Sequence, residues 1–319
     1  MLLYLRTLAV SSILTCAAAN LLPRQDISPG PVNGDTFIHD PTVVKTPKGS
    51  YIAAYTGDNV QLKTSTDRIT WKNAGPVFPK SGASWTTPYT KGSRVLWAPD
   101  ISYHNGQYWL YYSASTFGTS HSAIFLATSK TGRSGSWTNQ GVVVASTVGS
   151  DYNAIDGNLL VTAAGEWYLS FGSFSSGIKL ITLDPQTGLR SGRAVTSLAA
   201  RPHNGGAVEA PFIVQRGGFY YLWVSFDRCC RGAQSTYRTM VGRATELLGP
   251  YVDQDGRAMM EGGGTPMLSS HGPVHGPGHS AVLADADGDV LVYHYYRNDG
   301  LAQLGINLIR YDDGWPVIY

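Results

Sequence analysis

The sequence predicts an all-β fold, a five-bladed β-propeller in a single domain, and three observations predict it. An ionisable anchor recurs five times: Asp40 in HDP, Asp100 in WAPD, Asp156 in AIDG, Glu209 in VEAP and His279 in GPGHS. After each anchor come a turn, an aromatic-rich run and a further strand-like run. The anchors stand 60 (40 to 100), 56 (100 to 156), 53 (156 to 209) and 70 (209 to 279) residues apart, and repeated groups of four short strands are how propeller blades read in sequence.

Taken in order, residues 1–19 carry one charge, Arg6, then an apolar run ending in Cys16 and three alanines. That is the pattern of a secretory signal peptide and is too short for a membrane span. Residues 20–36, with three prolines, read as an extended leader, and 37–319 as the propeller. The second strands of the five copies are Tyr51 to Gly57, Tyr108 to Ser115, Trp167 to Phe174, Phe219 to Phe226 and Val290 to Tyr296. Aromatic and β-branched residues of this kind suit a buried strand. Third strands follow at 60–64, 123–128, 177–181, 239–243 and 305–309. Trp71, Trp137, Tyr251 and Trp315 mark fourth strands in four copies, and the three tryptophans read as core between blades. The strand that closes the ring comes from the segment before His39 or is absent.

Composition narrows the function. Without residues 1–19 the basic count falls from 24 to 23 against 22 acidic residues, which offers no basic patch for nucleic acid or an acidic membrane. Tyr and Trp together number 27 (19 + 8), which suits stacking on a neutral ligand. Cys229 and Cys230 are the cysteines left after the signal, and being adjacent they close no chain loop. They form either a stiff vicinal disulfide or two free thiols. There is no Asn-x-Ser/Thr site, so N-glycosylation is not expected.

The stretch from Val208 to Arg231, VEAPFIVQRGGFYYLWVSFDRCCR, points to chemistry. Glu209 stands between apolar runs in a chain with only 14% charged residues; a carboxylate buried there without a partner is costly, so it has a partner, a ligand or a task. In a propeller the innermost strand of each blade lines the axis, so the anchors would ring one pocket, Asp100 being the one whose WAPD could instead tie a turn. Hydrolysis of a glycosidic bond uses one carboxylic acid to protonate the leaving oxygen and one carboxylate to activate water or attack the sugar. Asp40 and Glu209 face each other across the ring, which makes Glu209 the acid and Asp40 the base. Asp156, next to Glu209, would raise its proton affinity and orient it.

HDPTVV, LWAPDISYHNGQYWLYYSASTFG, YNAIDGNL, FGSFSSGIKLI, the VEAP stretch with CCRG, STYRTMVGR, GPGHS and VYHYY, in this order and spacing, resemble the arabinanase branch of glycoside hydrolase family 43. The resemblance runs from His39 to Trp315. It implies a five-bladed propeller, an inverting mechanism, and the same roles: Asp40 as general base, Glu209 as general acid, Asp156 as modulator. It departs from the family only slightly, in having Gly157 where some members have proline. It also implies a hydrated cation, taken as calcium, on the axis with a histidine from the fifth blade, which GPGHS puts at His279. His294 is the alternative, read otherwise as a hydrogen-bonded second-strand histidine. Trp97 and Phe117 match walls of sugar subsites, with core packing as the competing reading. Asn153 and Ser173 match positions that bond sugar hydroxyls, and His39 either orients the base or lines the pocket.

The reading is thus a secreted, extracellular, monomeric enzyme that cuts α-1,5-linked L-arabinan, the side chains of pectin, internally. An exo-acting α-L-arabinofuranosidase or β-xylosidase on the same fold is the second reading. A non-catalytic sugar-binding propeller is the third, and it predicts loss of a carboxylate that is in fact present.

Overall fold

The computed structural model describes residues 26–80 and 82–319; the expected signal segment, residues 1–19, lies outside them. Five antiparallel sheets follow one another along the chain as blades of a propeller. Blade I contains Thr42–Lys45, Tyr51–Tyr55, Gln61–Ser65 and Thr70–Pro76. Blade II contains Val95–His104, Gln107–Ala114, Ser122–Ser129 and Thr138–Ser146. Blade III contains Asn158–Val161, Trp167–Phe171, Ile178–Leu183 and Thr196–Ala199. Blade IV contains Val208–Arg216, Phe219–Phe226, Arg238–Ala244 and Thr265–Leu268. Blade V contains His275–Asp285, Gly288–Tyr296, Ala302–Asp312 and Trp315–Ile318.

Each blade is buried on both faces, which is why its second strand reads as a continuous apolar run rather than an alternating one. Five hydrophobic clusters result, one at each blade junction. Leu62, Leu110 and Phe125 pack between blades I and II, Trp109, Leu126 and Leu169 between II and III, and Ile178, Leu222 and Met259 between III and IV. Trp223, Tyr293 and Ile309 pack between IV and V, and Tyr51, Trp71 and Val292 between V and I. Trp71 and Trp137 are core, as expected, and Trp315 packs at the IV–V junction with the Arg243 guanidinium over its ring. Tyr251 does not mark a fourth strand. It is buried well before Thr265, because its aromatic ring fills the III–IV core instead. Blade III has a fourth strand, TSLA, with no aromatic residue to announce it.

The ring closes without exchange of a full strand. The segment before His39 runs across the seam between blades V and I. Gly30 N–H donates to Ile306 O at 2.8 Å, Leu304 N–H to Thr36 O at 2.9 Å, and Asn33–Gly34 pair in parallel with Thr70–Trp71 on the outer edge of blade I. Asp285 of blade V takes Lys45, Tyr51 and Arg68 of blade I on one carboxylate.

Candidate active site

The axial side chains are set by a left-handed residue near the start of each innermost strand: Asp40, Ala98, Asp156, Ala210 and His279 all have φ between 45° and 61°. Outside glycine such backbone is uncommon and needs support. The N–H of each of these five residues is held by a side chain of the preceding blade. Asp40 N donates to His294 Nδ1 at 3.1 Å, Ala98 N to Thr56 Oγ1 at 2.8 Å, and Asp156 N to Ser113 Oγ at 3.0 Å. His279 N donates to Ser225 Oγ at 2.8 Å and Ala210 N to Asp156 Oδ2 at 3.1 Å. Blade III has no side chain for this task at the end of its second strand. Gly172, whose N–H meets Ile155 O as Thr56 N–H meets His39 O, is glycine where the other blades have Thr, Ser, Ser and His. The Asp156 carboxylate takes that place, which carries it beside the backbone of Glu209.

This register corrects the five anchors. Asp40, Asp156 and His279 are equivalent, but Glu209 precedes the left-handed residue of its blade, and Asp100 follows its own by two. Glu209 still reaches the axis. Asp100 does not line the cavity. It is buried between blades II and III and accepts the Leu159 N–H at 2.8 Å, as Thr42 accepts Ile101 N–H at 3.0 Å and Asn158 accepts Ile213 N–H at 2.9 Å at the neighbouring junctions. Its WAPD motif is therefore a blade-to-blade staple.

The remaining predicted residues converge. A cavity of about 660 Å³ on the axis is lined by His39, Asp40, Trp97, Phe117, Asn153, Asp156, Ser173, Glu209 and His279, with Cys229, Cys230, Arg228 and Arg231 on one wall. Phe117 is 82% exposed, so it packs in no core and presents its ring at the rim. Ser173 Oγ donates to Glu209 Oε2 at 2.7 Å, and Asn153 Oδ1 accepts Ser122 Oγ at 2.7 Å. Cys229 and Cys230 are joined as a vicinal disulfide.

The three carboxylates have unlike proton affinities. Burial pushes Asp40 up, but His39, His279 and His294 around it more than offset this and hold its carboxyl well below the usual range. His39 Nδ1 is 2.8 Å and the Thr56 hydroxyl 2.6 Å from Asp40 Oδ2; His279 Nδ1 is 3.3 Å from Oδ1. Burial raises Glu209, and the Asp40 charge adds to this against hydrogen bonds from Ser173 and Tyr237. Burial and the charges of Glu209 and Asp40 raise Asp156 well above its ordinary value. The Asp156–Glu209 pair therefore holds a proton more tightly than Asp40 does.

Two residues at this centre are not among those the sequence singles out. Thr56 holds both Asp40 and Ala98. Tyr237, buried at 1% exposure, bonds Glu209, and its ring lies so close to Gly278 that a Cβ there would overlap it, which is what the glycine of GPGH allows. A threonine directly after the strand Tyr51–Tyr55 and a GPG at the head of the strand His275–Asp285 show such contacts only once the blades are assembled.

For a cation, the donors near His279 are sparse. The groups of metal-binding type among the described residues are His39 with Cys229 and Cys230, and His39 with Asp40 and His294; neither includes His279, and the two sulfurs are bonded to each other. A carboxylate cage for a hard ion does not fit. A hydrated ion held through one imidazole does: burial lowers His279, leaving it neutral near pH 7, and with Nδ1 turned to Asp40 its Nε2 remains for a ligand.

A five-bladed propeller whose axial cavity is lined by carboxylates of unlike proton affinity has the build of a glycoside hydrolase. The family profile described as Glycosyl hydrolases family 43 matches residues 31–316, and the chain belongs to that family. It is 42% identical over 286 residues, 88% of this chain and 87% of the relative, to the extracellular endo-alpha-(1->5)-L-arabinanase 1 of Bacillus subtilis. Among solved structures, the GH43 endo-arabinanase from Bacillus licheniformis is 45% identical with a TM-score of 0.85, covering 90% of this chain and 99% of that one. An exo-1,5-alpha-L-arabinanase from a bovine ruminal metagenomic library is 38% identical with a TM-score of 0.83, covering 89% and 97%.

Proposed function

We propose that the protein is an endo-1,5-α-L-arabinanase, an inverting hydrolase of internal arabinan linkages. The observation that carries this reading is the division of labour among carboxylates at one cavity: Asp40 is held well below the usual carboxylate range, while burial raises both Glu209 and Asp156. An inverting glycosidase needs this arrangement, one group to take a proton from water and an opposed one to give a proton to the leaving oxygen. Asp40 is the base, Glu209 the acid, and Asp156 the modulator beside Glu209 that also braces Ala210. Trp97 and Phe117 offer aromatic faces to furanose rings; Asn153 and Ser173 offer hydrogen-bonding groups to hydroxyls, and His39, with Nδ1 on Asp40, orients the base. A cavity of about 660 Å³ belongs to the ~300–1,000 Å³ class that holds small-molecule ligands. A monomer is the proposed state. No helix among the described residues is long and apolar enough to cross a membrane, and secretion is inferred from residues 1–19 together with the extracellular relative.

His279 would hold a hydrated calcium ion by one nitrogen, the rest of the shell being water. When bound, such an ion would supply positive charge to the cavity. Asp40, Glu209 and Asp156 perform the proton chemistry.

The test is product analysis on linear α-1,5-arabinan beside p-nitrophenyl arabinofuranoside and xyloside, with and without a chelator. A ladder of arabino-oligosaccharides that falls at least a hundredfold in Glu209→Gln, the scale of general acid catalysis at roughly 10²–10⁴, is the expected result. Free arabinose or xylose from the first minutes would move the protein to the exo class. Chelation is expected to lower the rate and calcium to restore it.

A further inference from the structure

Behind the cavity wall a chain of contacts leads from Asp40 to the loop that carries the disulfide. His39 Nδ1 lies 2.8 Å from Asp40 Oδ2, so Nδ1, facing a carboxylate, carries the proton. The other ring nitrogen, Nε2, is 2.7 Å from the Tyr296 hydroxyl. That hydroxyl in turn accepts the Cys230 backbone N–H at 3.1 Å. A phenol has one proton and two acceptor sites, enough to serve both partners at once.

The imidazole of His39 is confined on its remaining sides. The His294 ring stacks on it with centroids 4.1 Å apart and is itself fixed by accepting the Asp40 N–H. The sulfurs of Cys229 and Cys230 lie 3.7 and 3.8 Å from His39 Nε2. Tyr296 is buried and lines no part of the cavity. It stands two residues after His294 on the second strand of blade V, and alternation along a strand puts both on one side of the blade, where they meet His39 together.

We propose that Tyr296 is a positioning residue for the hydrolysis: through His39 it fixes the carboxylate of Asp40, and through the Cys230 N–H it ties that carboxylate to the disulfide loop. This rests on the reading of Asp40 as general base. A base misplaced by a fraction of an ångström still binds sugar but takes its proton less often. The effect therefore belongs in kcat, whereas a residue that merely fills space moves stability, and one that touches sugar moves KM.

The experiment is a mutant cycle on arabino-oligosaccharides, with kcat expressed per folded molecule from far-UV circular dichroism. Tyr296→Phe is expected to lower kcat roughly tenfold, about 1.4 kcal/mol, with KM unchanged. His39→Asn keeps an amide N–H near the place of Nδ1 but has nothing to meet Tyr296. It should show a similar loss, and adding Tyr296→Phe to it should cost nothing more. Full kcat in Tyr296→Phe, a raised KM at constant kcat, or a further loss in the double variant overturns the proposal. If Tyr296→Phe fails to fold, His39→Asn alone decides: a full kcat overturns the proposal and a kcat loss at constant KM supports it. Asp40→Asn separates the two layers of the reading. An active Asp40→Asn sinks the base assignment and the relay with it, whereas an inactive one beside a fully active Tyr296→Phe sinks the relay alone.

Discussion

At the scale of single residues, Asp100 shows how a buried carboxylate without a cation behaves. Burial pushes its pKa up to about 7 against hydrogen bonds from Leu159 and Asn158. The folded chain therefore keeps a proton on Asp100 over a range in which the unfolded chain, titrating near 3.8, has lost it. Stability from this group is complete below the unfolded value, declines as pH rises, and is gone once pH passes about 7. In Asp100→Asn the Leu159 N–H keeps an acceptor and nothing titrates. Urea midpoints measured from pH 4 to 8 should show the wild type losing ground to the variant by ~1.4 kcal/mol per unit across that window, then running parallel; parallel curves throughout would refute the shift. The raised acids Asp156 and Glu209 are common to both proteins and cancel. Asp100 also marks where sequence reading stops. Repetition revealed a carboxylate in each of four copies, but not that Ala98 rather than Asp100 occupies the position equivalent to Asp40, because left-handed backbone on a non-glycine residue has no signature in composition.

At the scale of elements, the blades were legible because a strand buried on both faces must be apolar throughout, and YIAAY, YWLYY and FYYLWVSF say so. Short outer strands such as TSLA were not, since one face of them meets water and few residues carry the pattern. The loop from Asp227 to Arg231 was legible only as CCRG. What holds it comes from elsewhere in the chain: buried Arg201 donates to Asp227 Oδ1 at 2.6 Å and to Ala207 O at 2.8 Å, and its guanidinium stacks 4.0 Å from the Phe226 ring centroid. Arg238 holds the second Asp227 oxygen at 2.8 Å. Removing one member of a buried pair costs ~3–5 kcal/mol, but Asp227 is partly exposed and keeps Arg238. Arg201→Met is therefore expected to lose about 2 kcal/mol by denaturant unfolding. It should also raise KM for longer oligosaccharides, as the wall bearing Arg228 and Arg231 loosens. A stability change under about 0.5 kcal/mol, the level of an ordinary surface substitution, would show that the clamp does not hold the loop.

At the scale of the whole molecule, a ring of contiguous blades has one seam, between its first and last members, that no covalent turn crosses. Here the seam is covered by residues 30–36, which are fastened by backbone bonds to Ile306 and Leu304 and by one ion pair to blade I. Lys63, on the third strand of blade I, has 1% of its side chain exposed and reaches Asp35 Oδ1 at 2.7 Å over the Tyr55 ring. Burial lowers the Lys63 pKa and Asp35 opposes this. In Asp35→Asn the ammonium stays buried without its counter-charge, and an uncompensated buried charge destabilises by ~3 kcal/mol or more; with Asp35 itself partly solvated, about 2 kcal/mol is the expected loss at pH 7. The folded chain of the variant then holds the Lys63 proton less tightly than the unfolded chain does, so its stability should recover as pH rises towards the ordinary lysine value. Thermal unfolding of both proteins at pH 7 and 9.5 reads this as a gap that narrows. Asp35→Leu combined with Lys63→Met replaces the pair by apolar side chains and should restore most of the stability at both pH values, since a buried pair is often no better than a packed apolar substitute. A gap that does not change with pH would mean that Lys63 is uncharged at the seam, and that the leader is held by its backbone bonds to Ile306 and Leu304 alone.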